Sequence, residues 1–209
     1  MLMILIKIMS AIKYHCTHFV TSAPNINVLP KNQGIEIAFI GYSNVGKSST
    51  INTLTNKNRL AYISKYPGST KLINLFKVSI GKYIVDLPGY GYSKLPIDIQ
   101  KNINNIIKKY LTYRKQLTGL VIVMDIRYPL KPLDLKVISW AIKSKISVLI
   151  LLTKADKLKP SQCIFQLNKV KNFTLSMSAT IKVAIFSSLK KIGRKELNAI
   201  LNSWFLRMN

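Results

Sequence analysis

The sequence predicts an α/β three-layer sandwich: a mostly parallel sheet with one antiparallel edge strand and helices packed on both faces. Short, near-continuous apolar runs (35–40, 120–124, 146–152) alternate with stretches of helical periodicity (98–115, 132–143). Such runs suit strands covered on both faces, as a parallel sheet demands. The chain has 209 residues, 48% hydrophobic and 19% charged, which is enough to bury one core and too apolar for a disordered chain. With 9 Gly and 8 Pro it is not a collagen-like or low-complexity protein, and two cysteines, Cys16 and Cys163, cannot form a disulfide framework.

The elements follow in order. Residues 1–33 read as a polar, irregular extension, with Thr21-Ser22-Ala23-Pro24 and Leu29-Pro30-Lys31, leading into a single domain over 34–209. Met9 offers a second start, which would leave residues 1–8 untranslated. A strand at Ile35–Ile40 runs into Gly41, and a helix covers Lys47–Leu54. Residues 57–71 are turn-rich and read as a loop. Leu72–Ile80 and Tyr83–Asp86 form a hairpin about Gly81-Lys82, the source of the antiparallel strand. The helix Asp98–Lys115 aligns Ile99, Ile103, Ile106, Ile107, Tyr110 and Leu111 on one face. Strand Leu120–Met124, helix Pro132–Lys143, strand Ile146–Leu152, helix Ser161–Val170 and strand Ile181–Phe186 follow. The terminal helix, Gly193–Arg207, turns Leu197, Ile200, Leu201, Trp204 and Phe205 inward.

Thirty-two Lys and Arg face 7 Asp and Glu, a net charge of +25. The 27 Lys, 29 Ile and 16 Asn are residues of AT-rich codons, so genome drift contributes. Drift does not explain the scarcity of acids, and a polyanionic partner rich in RNA is expected. No apolar run approaches the roughly 20 residues of a membrane helix, and the apolar start lacks the basic flank of a signal peptide. A cytoplasmic protein, not inserted in a membrane, is expected.

Three motifs carry chemistry. Gly41-Tyr42-Ser43-Asn44-Val45-Gly46-Lys47-Ser48 fits the phosphate-cradling pattern G-x-x-x-x-G-K-[ST] between a strand and a helix. Lys47 would reach the β- and γ-phosphates and Ser48 would place its hydroxyl on Mg²⁺. Asp86-Leu87-Pro88-Gly89 ends a strand, where a carboxylate can hold Mg²⁺ through water and the Gly89 N–H can meet the γ-phosphate. Thr153-Lys154-Ala155-Asp156 follows the strand at 146–152. Asp156 offers two acceptors to the paired N1–H and N2–H donors of guanine, which adenine lacks, and the Lys154 stem can lie across the base. Thr70, within Gly68-Ser69-Thr70-Lys71-Leu72, is the candidate to cap Mg²⁺ when a γ-phosphate is present, and backbone N–H groups of Phe186-Ser187-Ser188 would meet guanine O6. The reacting set is thus Lys47, Thr70, Gly89 and Asn44, with Ser48 and Thr70 on the metal.

These strings, with Pro67–Phe76, Val85–Tyr92, Val123–Arg127, Pro129-Leu130 and the segment Phe19–Ala23, resemble the bacterial EngB (YihA or YsxC) family of translation-factor-like P-loop GTPases over nearly the whole chain from Lys13. The resemblance implies a GTP/GDP- and Mg²⁺-binding switch, expected to be monomeric, that serves assembly of the large ribosomal subunit and is linked to division septum formation. Ser69, Lys71 and Tyr42 depart from the family's frequent Arg, Gln and Arg. Tyr90, directly after Gly89, has no amide to orient an attacking water, so slow turnover without a partner is expected. Two rivals stay open: a guanine-nucleotide-binding placeholder with little turnover, and a septum-associated regulator without RNA contact. Three local readings also stay open. Asn44 either helps hold K⁺ or stabilises its loop, and Tyr90 and Tyr92 either pack or stack on a partner. Lys101, Lys108, Lys109, Arg114 and Lys115 form either a solvated face or an RNA-facing patch. Asp125 and Arg127 read as a local ion pair, and His15, Cys16 and His18 lack the second half of a metal site.

Overall fold

The computed structural model describes residues 12–31, 33–61, 72–91 and 95–206. Seven strands, β1 (His18–Ala23), β2 (Ile35–Gly41), β3 (Ile73–Ser79), β4 (Lys82–Asp86), β5 (Leu117–Asp125), β6 (Ser147–Thr153) and β7 (Lys182–Ile185), form one sheet in the order β1-β3-β4-β2-β5-β6-β7. β2 runs parallel to β4 and β5, and β6 runs parallel to β5 and β7. β3 is antiparallel to both neighbours, so β1 regains the common direction. The expected antiparallel strand is present and lies second from the edge, because β1 covers it.

That strand corrects the irregular extension expected before residue 34. β1 lies inside it, Ala23 and Leu29 are buried, and the hydroxyl of buried Tyr14 donates to Asn202 at 2.8 Å. His18, Phe19 and Val20 are exposed, so β1 carries no clean alternation for a sequence reading to detect. Its place depends on pairing with β3 about fifty residues away.

Among the described residues the helices are α1 (Lys47–Thr55), α2 (Ile97–Tyr113), α3 (Pro132–Lys143), α4 (Pro160–Leu175) and α5 (Arg194–Phe205). The two-residue period of the strands divides the core. Ala38, Ile40, Leu120, Ile122, Ile150 and Leu152 face the side that buries Ile103 and Ile107 of α2, Val137 and Ile138 of α3 and Val170 of α4. Ile37, Phe39, Val121, Val123, Leu149 and Leu151 face the side that buries Ile51 and Leu54 of α1 and Leu197, Leu201, Trp204 and Phe205 of α5. α4 runs one turn past the expected end at Val170, because Thr174 is buried as well. No helix among the described residues is long and apolar enough to cross a membrane.

Arg114, expected with the basic face of α2, turns instead onto a buried carboxylate at the start of β2. Its guanidinium donates to Glu36 of β2 at 2.9 and 2.6 Å and to the Pro30 carbonyl at 2.8 Å, and the Tyr110 hydroxyl donates to the same carboxylate at 2.7 Å. Lys101, Lys108, Lys109 and Lys115 remain exposed.

Candidate functional site

The parallel strands β2, β4, β5, β6 and β7 end along one edge of the sheet, the edge where α/β proteins place ligands. β2 delivers the phosphate loop. Asn44 (φ 65°) and Gly46 (φ 98°) take left-handed backbone, which curls the loop. At Gly46 that conformation disfavours a side chain. Gly46 caps α1, and its carbonyl accepts the N–H and the hydroxyl of Thr50 at 2.8 and 2.9 Å. Opposite Phe39 of β2, Asp86 ends β4 and forms a buried ion pair with Lys47. The pair holds the lysine at the loop. The Ser48 hydroxyl makes no hydrogen bond among the described residues, so this hydroxyl and the Asp86 carboxylate are hard oxygen donors suited to Mg²⁺.

Gly89 faces the phosphate loop. A Cβ there would stand 3.4 Å from the Ser43 hydroxyl and 3.5 Å from the Gly41 carbonyl, contacts that other residues could nearly tolerate. The protein's own packing therefore does not demand glycine, whereas close approach by a ligand phosphate would. Leu87, Val45, Ala155 and Phe186 are buried, so these expected site residues can present only backbone to a ligand. Pro88 is buried beside them, and Leu72 is exposed just before β3. Gly68, Ser69, Thr70, Lys71 and Tyr92 lie outside the described residues.

β6 delivers the Thr153–Asp156 string and ties it to the phosphate loop. The Thr153 hydroxyl stands 2.6 Å from the Val45 carbonyl and 2.9 Å from the Met124 carbonyl. Lys154, at φ 59°, donates to the Asn44 carbonyl at 2.8 Å and pairs with Asp125 at 3.0 Å. Its stem thus crosses the space beside the loop where a base would lie. Asp125 also accepts two side-chain bonds from Arg127, at 2.9 and 2.7 Å. Burial alone would raise the Asp125 carboxyl, but Arg127 and Lys154 hold it well below the usual carboxylate range. The expected ion pair is present, and it has a second partner that sequence reasoning missed. No local signal marked it, because the register of β5 on β6 sets Asp125 against Thr153.

Asp156 accepts the Ser187 hydroxyl at 2.6 Å, which orients its carboxylate. The Phe186 N–H donates to Leu152 at 2.8 Å and the Ser187 N–H to Ile192 at 3.1 Å. Two of the three backbone N–H groups expected to meet guanine O6 are thus engaged within the protein.

Tyr90 is buried, which settles its open reading in favour of packing. Its hydroxyl donates to Asp134 of α3 at 2.6 Å, and its ring meets Tyr42 edge-on at 4.8 Å. Burial pushes the Asp134 carboxyl up to about 6, while the Tyr90 hydroxyl and the Lys131 N–H pull it part of the way back. Asp134 was not legible as a site residue, since 44 residues separate it from Tyr90. His15, Cys16 and His18 form no metal cluster among the described residues.

Residues 36–154 match the family described as "50S ribosome-binding GTPase". The chain is 51% identical over 200 residues to the "Probable GTP-binding protein EngB" of Escherichia coli O139:H28 (strain E24377A / ETEC), covering 96% of this chain and 95% of that protein. It is 52% identical over 197 residues to the protein of the same name from Salmonella paratyphi B (strain ATCC BAA-1250 / SPB7), covering 94% of each. The fold is shared with the crystal structure of a probable GTP-binding protein engB, at 22% identity and a TM-score of 0.66 over 81% of this chain and 98% of that one. It is shared also with Era crystallised with MgGDPNP and a 16S ribosomal RNA segment, at 18% identity and a TM-score of 0.65 over 83% of this chain and 57% of that one. With the phosphate loop, the loop after β4 and the Thr153–Asp156 string converging on one sheet edge, the chain belongs to the EngB family of GTP-binding proteins.

Proposed function

We propose that this protein is a GTP-hydrolysing switch that docks in its GTP form on a precursor of the large ribosomal subunit in the cytoplasm and leaves after hydrolysis. The observation that carries the reading is the junction of the base-recognition string with the phosphate loop through Thr153–Val45 and Lys154–Asn44. It lets a single nucleotide engage both ends of the site. Lys47 exchanges Asp86 for the phosphates, the Gly89 N–H meets the γ-phosphate, and Asp156 reads the guanine edge. Ser48 and Thr70, with Asp86 through water, would hold Mg²⁺, which supplies charge neutralisation to the phosphates. The Tyr90 phenol, turned into the core, leaves the position after Gly89 without a group to orient the attacking water. Turnover is therefore slow until a partner contributes. A net charge of +25 and the ribosome-binding GTPase family match support an rRNA-rich partner.

The test is GTP hydrolysis by the purified protein, alone and with large ribosomal subunits, in KCl and then in NaCl. Low basal turnover and clear stimulation by subunits are expected. Greater stimulation in KCl would assign Asn44 to holding a monovalent cation, and equal rates would leave Asn44 a loop-forming residue. Tight nucleotide binding with no stimulation in either salt would replace the switch by a placeholder.

A further inference from the structure

Asp134 sits in the first turn of α3, and each carboxylate oxygen has its own donor. Oδ1 takes the Tyr90 hydroxyl at 2.6 Å, and Oδ2 takes the Lys131 N–H at 3.0 Å, capping the helix. The backbone of Tyr90 is held too. Its N–H donates to the Gly41 carbonyl at 3.2 Å, and its carbonyl accepts the Ser43 N–H at 3.0 Å. Beside it, the Tyr42 hydroxyl accepts the Leu133 N–H at 3.3 Å, and the Lys131 ammonium lies 4.8 Å from the centre of the Tyr42 ring. Gly91 completes the cage: at φ +71° its Cβ would fall 1.9 Å from the Tyr42 ring.

The phosphate loop, the loop after β4 and the start of α3 thus meet around one buried carboxylate. An apolar pair would fill this space without the cost of desolvating a charge. The polar pair instead ties down the residue that follows Gly89, at a glycine where the protein's own packing leaves room for a Cβ. We infer that Tyr90 and Asp134 are positioning residues for the γ-phosphate: their hydrogen bond anchors the residue after Gly89 to α3 and holds the Gly89 N–H where a γ-phosphate oxygen would meet it. The inference rests on the guanine-nucleotide reading above. It assigns the pair to discrimination between GTP and GDP, since GDP has nothing for the Gly89 N–H to bind. By reciprocity, a contact that moves the start of α3 changes GTP affinity by the same factor that GTP changes that contact.

The experiment is equilibrium titration of fluorescent GDP and of a fluorescent non-hydrolysable GTP analogue against the wild type and variants of the full chain. Tyr90→Phe removes only the hydroxyl. It is expected to weaken the triphosphate analogue about tenfold, the scale of one hydrogen bond to a charged group, while GDP affinity stays within about twofold. In hydrolysis assays KM rises more than kcat falls. Asp134→Asn keeps an oxygen to accept the Tyr90 hydroxyl and is expected to retain GTP/GDP discrimination close to wild type. If Tyr90→Phe is too unstable because it strands the buried carboxylate, Tyr90→Phe with Asp134→Leu removes both polar groups and should show the same selective loss. Unchanged affinity for both nucleotides, or an equal loss for both, would overturn the assignment. If the wild type bound neither nucleotide, the guanine-nucleotide reading itself would fall, an outcome distinct from either of these.

Discussion

Asp156 presents a carboxylate with one oxygen resting on the Ser187 hydroxyl at 2.6 Å, so its orientation is set before any nucleotide arrives. Guanine offers N1–H and N2–H donors to that carboxylate. Asp156→Asn turns one acceptor into a donor that opposes them. GTP affinity is expected to fall by roughly two orders of magnitude, the scale of a buried polar mismatch, while xanthosine triphosphate loses less because its C2 carbonyl accepts. Competition between the two nucleotides against a fluorescent analogue measures this, and unchanged GTP affinity would remove Asp156 from base recognition. The motif in the sequence marked Asp156, but not the Ser187 contact that aims it. Lys154 gives a parallel case: its type and place were legible, while its anchors, the Asn44 carbonyl and Asp125, come from two other strand ends.

Among the elements, α2 shows how a helix is fixed to the sheet beyond its apolar stripe. Ile103, Ile107 and Leu111 were readable from spacing alone and are buried. Arg114 reads in the sequence as one more cation of a basic helix, but the structure turns it onto Glu36, a carboxylate buried in β2. Arg114→Ala strips that buried charge of its main partner and is expected to cost about 3–5 kcal/mol of stability. Urea unfolding followed by circular dichroism checks this, and a loss below about 1 kcal/mol would mean that Tyr110 and solvent suffice for Glu36. Because Glu36 stands at the start of β2, the end of the strand away from the phosphate loop, nucleotide affinity of the folded variant should be unaffected. β1 is the opposite case, an element nearly silent in the sequence because an edge strand with three exposed residues at its start shows little periodicity.

Across the whole molecule, charge sets the expected mode of association. With Lys and Arg outnumbering acids 32 to 7, docking on rRNA should release counterions from several phosphates. Binding to large ribosomal subunits in the GTP form is expected to weaken on the order of a hundredfold between about 50 and about 200 mM salt, as for roughly four phosphate contacts. Sedimentation of the protein with subunits over that range measures the slope; a flat response would point to protein–protein docking and make genome drift the main source of the charge. The alternation of strands and helices, the motifs of the three loops and the family resemblance were readable from the residues alone. These rest on periodicity and turn chemistry carried within a few adjacent residues. Only the packed fold shows that β1 borders the sheet, that Lys154 leans on Asp125, that the Phe186 and Ser187 N–H groups are engaged within the protein, and that Tyr90 turns inward to Asp134. Each of these joins residues far apart in the chain, and the order of strands in the sheet, which no local pattern encodes, brings them within hydrogen-bonding reach.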